Sequence, residues 1–423
     1  MRRSDKGQII VIIALSIVVI MGMTALAVDG TRFYSDRRSS QAAADSAALA
    51  GAGAAAQSIK NYLPSDFYCG SSLGATASTN AIQAAIENAA KDGVTLANDT
   101  SSPSHVYVTC ESDDFSDYLD IHIQVTTETT LRFGQVLYHQ PLVGVVEAVS
   151  RVYPQQNLAF GNAIASLSDN CSDGGIYLDG TSNIVIHDGG VFSNSCLSGK
   201  GHIKLLVTGA EIQYVTNLVD TGGAIFDPLP SKSPEKLPEI DIDSPDCSSL
   251  EHKGAITHGG NLYQGIYDTI LINNSETLFL HPGLYCLDGD FRVNGTAIIT
   301  GYNVTIYMRS GQIDLTGTSS VNLTAPNCIT LACGVPPAIR GILFFIDPLN
   351  TSPVKFSGTA TSDFMGTIYA PNSEVVVNGT PDMVTMETQI IGKKVTVTGN
   401  VNLALNLSGA ELYQIPAYIE LVQ

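Results

Sequence analysis

Eight cysteines and a scatter of aspartates are the residues of this chain whose types and spacing could do chemistry. The cysteines are Cys69, Cys110, Cys171, Cys196, Cys247, Cys286, Cys328 and Cys333. Their number is even, and no CxxC or Cys/His zinc spacing occurs. In an exported chain such cysteines oxidise to disulfides. Sequential pairing (69–110, 171–196, 247–286, 328–333) is expected because each pair falls within one local segment. Buried free thiols are the alternative.

A glycoside hydrolase needs two carboxylates across the scissile bond. Asp288, Asp290, Asp314, Asp347 and Asp363 are the candidates, with Arg292, Arg309 and Arg340 as groups that could hold an acidic sugar. Their spacing sets no pair on one face, so they read as solvated turn residues. Asp241-Ile-Asp243-Ser-Pro-Asp246 could offer oxygens to calcium but lacks the Gly and terminal Glu of an EF-hand loop. The histidines are dispersed, and His122 falls on an alternating stretch as a solvent-facing strand residue. No HExxH, GxSxG or P-loop is present. No catalytic, cofactor-binding or metal-ligating residue is assigned, and no cofactor is expected.

Composition narrows the class. The chain has 423 residues, 44% hydrophobic and 14% charged, which excludes disorder. Its 39 glycines point to β structure with tight turns, and Trp is absent. A formal charge of −19 repels a phosphate backbone and argues against nucleic acid as a partner.

The elements that would position these residues begin with an apolar run. Ile9 to Val28 is 20 residues without a charge, long enough as a helix to cross the hydrocarbon core of a bilayer. Ala25-Leu26-Ala27 resembles a signal-peptidase site, but the helical pattern continues past Val28. Arg2, Arg3 and Lys6 before the span are balanced by Arg32, Arg37 and Arg38 after it, so flanking charge does not orient it. The short tail and the placement of every cysteine beyond Val28 favour an N-in arrangement. From Thr31 to about Ile59 alanine dominates, and the helix is expected to run on from Gln8 to Ile59. Ala43, Ala47 and Gly51, with Ala44 and Ala48, line up small residues on a face that another element could approach closely. A second helix is expected at Asn80–Lys91, with Ile82, Ala85, Ile86 and Ala89 as its apolar stripe and Gly93 as its stop. Strands are expected at His105–Cys110, Leu119–Thr127 and Val143–Val152.

Several of these segments together carry a family resemblance. The basic tail, Gly7-Gln8, the apolar span, Ala27-Val28-Asp29-Gly30 with Arg32-Phe33-Tyr34, and the run from Gln41 to Gly51 resemble the N-terminal segment of TadG-like proteins of the bacterial tight-adherence (Flp) pilus system. Thr129–Ala148, with Arg132-Phe133-Gly134, is similar to the end of that module. The resemblance implies an envelope-anchored accessory to pilus assembly or adherence. One position departs from a pilin-like pattern: cleavage at Gly7 would put Ile12 where a type IV-type prepilin carries Glu.

From about Gln155 a different pattern begins, of short apolar alternations closed by glycine. Leu178-Asp-Gly180, Val293-Asn-Gly295, Leu315-Thr-Gly317, Phe356-Ser-Gly358, Val377-Asn-Gly379 and Val397-Thr-Gly399 repeat one element. From Gly295 the glycines are 22, 41, 21 and 20 residues apart, the 41 being read as two units with one degenerate copy. A period near 20–22 residues suits one rung of a parallel β-helix better than a sandwich or jelly roll. His281-Pro-Gly-Leu-Tyr285 and Gly366-Thr-Ile-Tyr-Ala-Pro371 resemble the β-helical halves of some TadG-like proteins. The Pro-rich stretch Phe226–Asp246 reads as a loop or insertion between rungs.

The expected fold is mainly β with a long N-terminal helix, a small α+β module and a right-handed parallel β-helix. The expected organisation is a cytoplasmic tail (1–8), a transmembrane helix (9–28), a TadG-like module (29–153) and a β-helix (154–423) with an insertion at about 226–246. The expected role is structural or adhesive, in the bacterial envelope, with the body outside the cytoplasm. Membrane, pilus-assembly or other envelope proteins and surface polysaccharide are the partners considered. A tethered polysaccharide-active enzyme and a minor pilin are the competing roles.

Overall fold

An uninterrupted helix, α1 (Lys6–Ile59), opens the chain and runs for 54 residues, about 80 Å at 1.5 Å per residue. The computed structural model describes all residues except 1–5, 61, 63–65, 114–115, 137–138, 239, 318, 328–336, 359–362, 380–382, 408–411 and 423. Two units divide the chain: Met1–Gln156 with Pro416–Gln423, and Asn157–Ile415.

In the first unit α1 changes character at Asp29. Every large apolar side chain from Val11 to Val28 is exposed. Beyond that point one side of the helix is buried at Asp29, Ser40, Ala44, Ala47, Ala48, Gly51, Ala52 and Ala55. Helix α2 (Ser72–Lys91) starts earlier than the expected Asn80, because the Ser71 side chain accepts the Gly74 N–H at 3.0 Å and so caps the helix. Its buried stripe also differs from expectation. Gly74, Ala77, Ala81, Ala85 and Ala89 face inward at three- and four-residue spacing, so Ala85 and Ala89 of the expected stripe are buried while Ile82 and Ile86 flank them half-buried. Two alanine rows let α1 and α2 approach closely. A Cβ on Gly51 would come within 3.0 Å of the Ala81 carbonyl oxygen.

The helices cover one face of an antiparallel sheet of β1 (His105–Ser112), β2 (Asp117–Thr129) and β3 (Leu142–Tyr153). Leu119, Ile121, Ile123 and Val125 of β2 alternate toward the helices, joined by Val146, Ala148 and Val152 of β3. The fourth strand, Tyr418–Leu421, comes from the C-terminus and pairs antiparallel with β3. The tail expected to belong to the repeat region therefore completes this sheet instead.

The second unit is a β-solenoid of about ten turns with parallel pairing throughout. Its turns do not stack in sequence order. A first stack starts with Asn162–Ser166, Gly175–Gly180 and Asn183–His187, and grows outward to Ser231–Lys232. A second stack starts at His252–Ile256 and grows back until its last turn, in Met383–Gly399 and Asn402–Asn406, pairs with the first turn of the first stack. One inward column reads along the axis as Leu218, Leu197, Ile176, Val395, Val375, Val354, Ile313, Phe291 and Ile270. The seam between the stacks is thus as apolar as any rung.

Two expectations are corrected here. Leu315 pairs directly with Phe356 on the adjacent turn, so the 41-residue spacing is one turn with a long excursion, not two turns. The Pro-rich stretch is also more than a loop. Ile225–Asp227 and Ser231–Lys232 still pair as rung strands. The remainder is a strap from the end of the first stack to the start of the second. The Leu237 N–H donates to Asn194 Oδ1 at 2.9 Å, and the Ile240 carbonyl accepts the Tyr369 hydroxyl at 2.8 Å. Ser244 bonds Tyr307, and Cys247 is joined to Cys286. Tyr369, Tyr307 and Cys286 belong to one outward column that reads in register as Phe192, Ala165, Ile391, Tyr369, Phe345, Tyr307 and Cys286. None of the seven is more than 5% exposed although strand alternation turns them away from the inner core. The strap gives this outward column a cover.

Candidate functional site at the foot of the anchor helix

Where α1 leaves its bare apolar stretch, a row of side chains fastens it to the sheet. The row is Asp29, Phe33, Asp36 and Ser40, whose three- and four-residue steps keep them on one helix face, with Gln41 beside Ser40. The Asp29 carboxylate accepts backbone N–H groups from Arg132 at 2.9 Å, Phe133 at 3.1 Å and Gly134 at 2.6 Å. Those amides open a short 3-10 turn, Gly134–Val136, which suits them to an anion. Asp29 is 4% exposed, and donation from Arg132 and Gly134 holds its carboxyl below the usual carboxylate range. Farther along, the Thr129 hydroxyl donates to Asp36 at 2.7 Å, and Ser40 bonds Thr127. Gln41 donates to Asp45 at 2.8 Å and to the Glu147 carbonyl at 3.0 Å. Gly144 of β3 lies over Phe33, where a Cβ would stand 3.4 Å from the ring. Ala27–Gly30 and Arg132–Gly134, far apart in sequence, are therefore two halves of one clasp.

The other residues singled out in the sequence fall as follows. Ala43, Ala47 and Gly51 lie in the part of α1 that packs on α2 and the sheet. Gly180, Gly295, Gly317 and Gly399 adopt φ of 97°, 78°, 89° and 93°, which only glycine adopts without strain. Their corners also touch: a Cβ on Gly180 would meet the Gly399 carbonyl oxygen at 2.3 Å. Gly358 aligns with Gly379 and Gly379 with Gly399 inside strands. Disulfides join Cys69 to Cys110, Cys171 to Cys196 and Cys247 to Cys286. Cys328 and Cys333 lie outside the described residues. Ile9 and Val28 bound the apolar stretch, and Val28 is exposed.

The aspartates considered for catalysis are spread along the second stack. Asp288 pairs with Arg309 at 2.6 Å and Asp290 with Arg292 at 2.9 Å. Asp314 neighbours Arg292 in register, and Asp347 accepts the Tyr307 hydroxyl and the Leu349 N–H. Burial pushes the Asp363 carboxyl up. In the strap Asp246 accepts the Ser248 N–H at 2.8 Å, as a turn residue does. Among the described residues no cluster of three His, Cys, Asp or Glu could hold a metal ion. His122 stacks on Tyr107 at 4.5 Å and bonds Thr109, half-buried on the sheet face away from the helices.

The class these features define is a protein with one N-terminal helix apolar and long enough to cross a membrane, clasped by an α+β module and continued by a β-solenoid. Residues 7–56 match the family described as putative Flp pilus-assembly TadE/G-like, and residues 285–408 match a domain of unknown function, DUF7305. The chain thus carries a TadE/G-like segment at its N-terminus. The second match falls on the returning stack, up to its last turn at the seam. No curated protein and no solved structure matches the chain.

Proposed function

We propose that this protein is a membrane-anchored structural or adhesive component of Tad (Flp) pilus assembly, with its α+β module and solenoid outside the cytoplasm. One observation carries the reading. The TadE/G-like segment, 7–56, coincides with a helix that is bare and apolar to Val28 and clasped from Asp29 onward. A helix exposing Ile, Val, Leu and Met on every side is stable in hydrocarbon and not in water. The three disulfides support placement in an oxidising compartment. The role is mechanical and needs no catalytic step: the helix holds, the clasp transmits load, and the solenoid offers a stiff surface to pilus-assembly proteins, other envelope proteins or surface polysaccharide.

Fractionation and protease shaving test this. The protein is expected to stay in the membrane after an alkaline carbonate wash, and its body to be cleaved when protease is added outside spheroplasts. Recovery of the uncleaved chain in the soluble fraction, or a body protected until lysis, would overturn it.

A further inference from the structure

We propose that the foot of the α+β module docks on anionic phospholipid headgroups through Arg32, Arg132, Phe133, Val143 and Val145. The inference rests on the membrane-anchored reading above and adds a second contact with the bilayer.

Height along α1 comes first. Asp29 directly follows the apolar span, so the peptide groups of Arg132, Phe133 and Gly134 bonded to it lie at the edge of the hydrocarbon core. A headgroup layer is about 5–8 Å thick on each side. Phe33 stands about 7 Å beyond Val28 along the helix. Gly144 rests on Phe33, so its neighbours Val143 and Val145 are at headgroup height on the opposite face of β3.

Exposure and charge then fit one occupant. Phe133 is 56% exposed, Val143 57% and Val145 46%, whereas Leu119, Ile121, Ile123 and Val125 of the adjacent β2 are buried. Arg32 acts on the same Asp29 carboxylate that the Arg132 and Phe133 amides hold, and Arg32, Arg37, Arg38 and Arg132 are all exposed, in a chain with 21 basic against 40 acidic residues. The acidic groups nearby are Asp29, held by three amides, Asp36, which accepts Thr129, exposed Glu128 opposite Val143, and exposed Glu147 one alternation beyond Val145. A basic rim around an apolar aromatic tip at the bilayer edge complements phosphate above acyl chain. It also gives Arg32, Arg37 and Arg38 a partner on the far side of the span, where their charge opposes the usual orientation rule.

The test uses the full chain in lipid nanodiscs. Because the protein has no Trp, Phe133→Trp introduces a single reporter, and Leu49→Trp, at an exposed position of α1, is its control about 30 Å beyond Asp29 along the helix. With phosphatidylglycerol present, headgroup-brominated lipid is expected to quench the Phe133→Trp signal and leave the control unquenched. Pure phosphatidylcholine, or Arg32→Glu with Arg132→Glu, should weaken docking by about thirty-fold. Quenching no greater than the control, or equal in both lipids, would overturn the proposal. Failure of the chain to enter discs at all would instead defeat the anchored reading.

Discussion

Asp29 shows how much one side chain can settle. It is a carboxylate directly after the apolar stretch, and three backbone amides from Arg132, Phe133 and Gly134 point at it. Hydrogen bonds to the charged form lower its pKa below the ordinary 3.8, the Arg132 amide contributing most. A group depressed in the folded state stabilises the clasp above its unfolded pKa and loses that effect as pH falls through the folded value. The protection factor of the Arg132–Gly134 amides, relative to their intrinsic exchange, should therefore stay constant from pH 7 down to about 5 and fall progressively below about pH 4. Asp29→Ala should show at pH 7 the open loop that the parent shows only in acid, with protection down roughly tenfold. Unchanged protection in Asp29→Ala would mean the loop is held by something else. Both halves of the clasp were visible as sequence motifs. Their bond was not, because about 100 residues separate them and neither half is periodic with the other.

At the scale of elements, the strap shows where local pattern stops informing. Its prolines forbid regular pairing, so the sequence reads as loop. What the prolines do not reveal is that Leu237, Ile240, Ile242 and Cys247 are buried, while Tyr307, Phe345 and Tyr369 on the outward side of the rungs lose their water. Apolar residues at both alternating positions of Ile342–Ile346 were the available sign that both faces of that strand are covered. Helix α2 is a parallel case: of the expected stripe Ala85 and Ala89 are buried, and close approach extends that row through Ala81 and Ala77 while Ile82 and Ile86 stay at its margin. The Cys247–Cys286 link closes 39 residues and so restricts the unfolded chain by about 4 kcal/mol. With both cysteines changed to serine, limited proteolysis should cut within 233–250 well before any rung, and reduction of the parent should give the same first cut. Resistance of the strap in the double variant would show that its hydrogen bonds alone hold it.

For the molecule as a whole, the glycine spacing gave away the repeat but not the order of stacking. Every turn offers its neighbour similar apolar columns and glycine corners, so a period contains no instruction about which turn lies beside which. The chain resolves this by joining its first turn to its last: Ile164 pairs with Ile390, Ile176 with Val395 and Ile184 with Leu403. Stacked repeats share stability through nearest-neighbour interfaces, so the seam decides whether the unit melts as one body or as two stacks. Ile164 and Ile390 are 1% and 0% exposed, and Ile→Ala at such a site costs about 2–5 kcal/mol. If the seam couples the stacks, Ile164→Ala lowers a single calorimetric transition of the solenoid by several degrees. Because the two isoleucines touch across the seam, adding Ile390→Ala should cost less than the sum of the separate effects. If the stacks are independent, the parent shows two transitions and Ile164→Ala moves only one of them. The first turn stays half-covered until residues 390–406 are made, so the decisive contact of the solenoid joins its earliest strands to its latest.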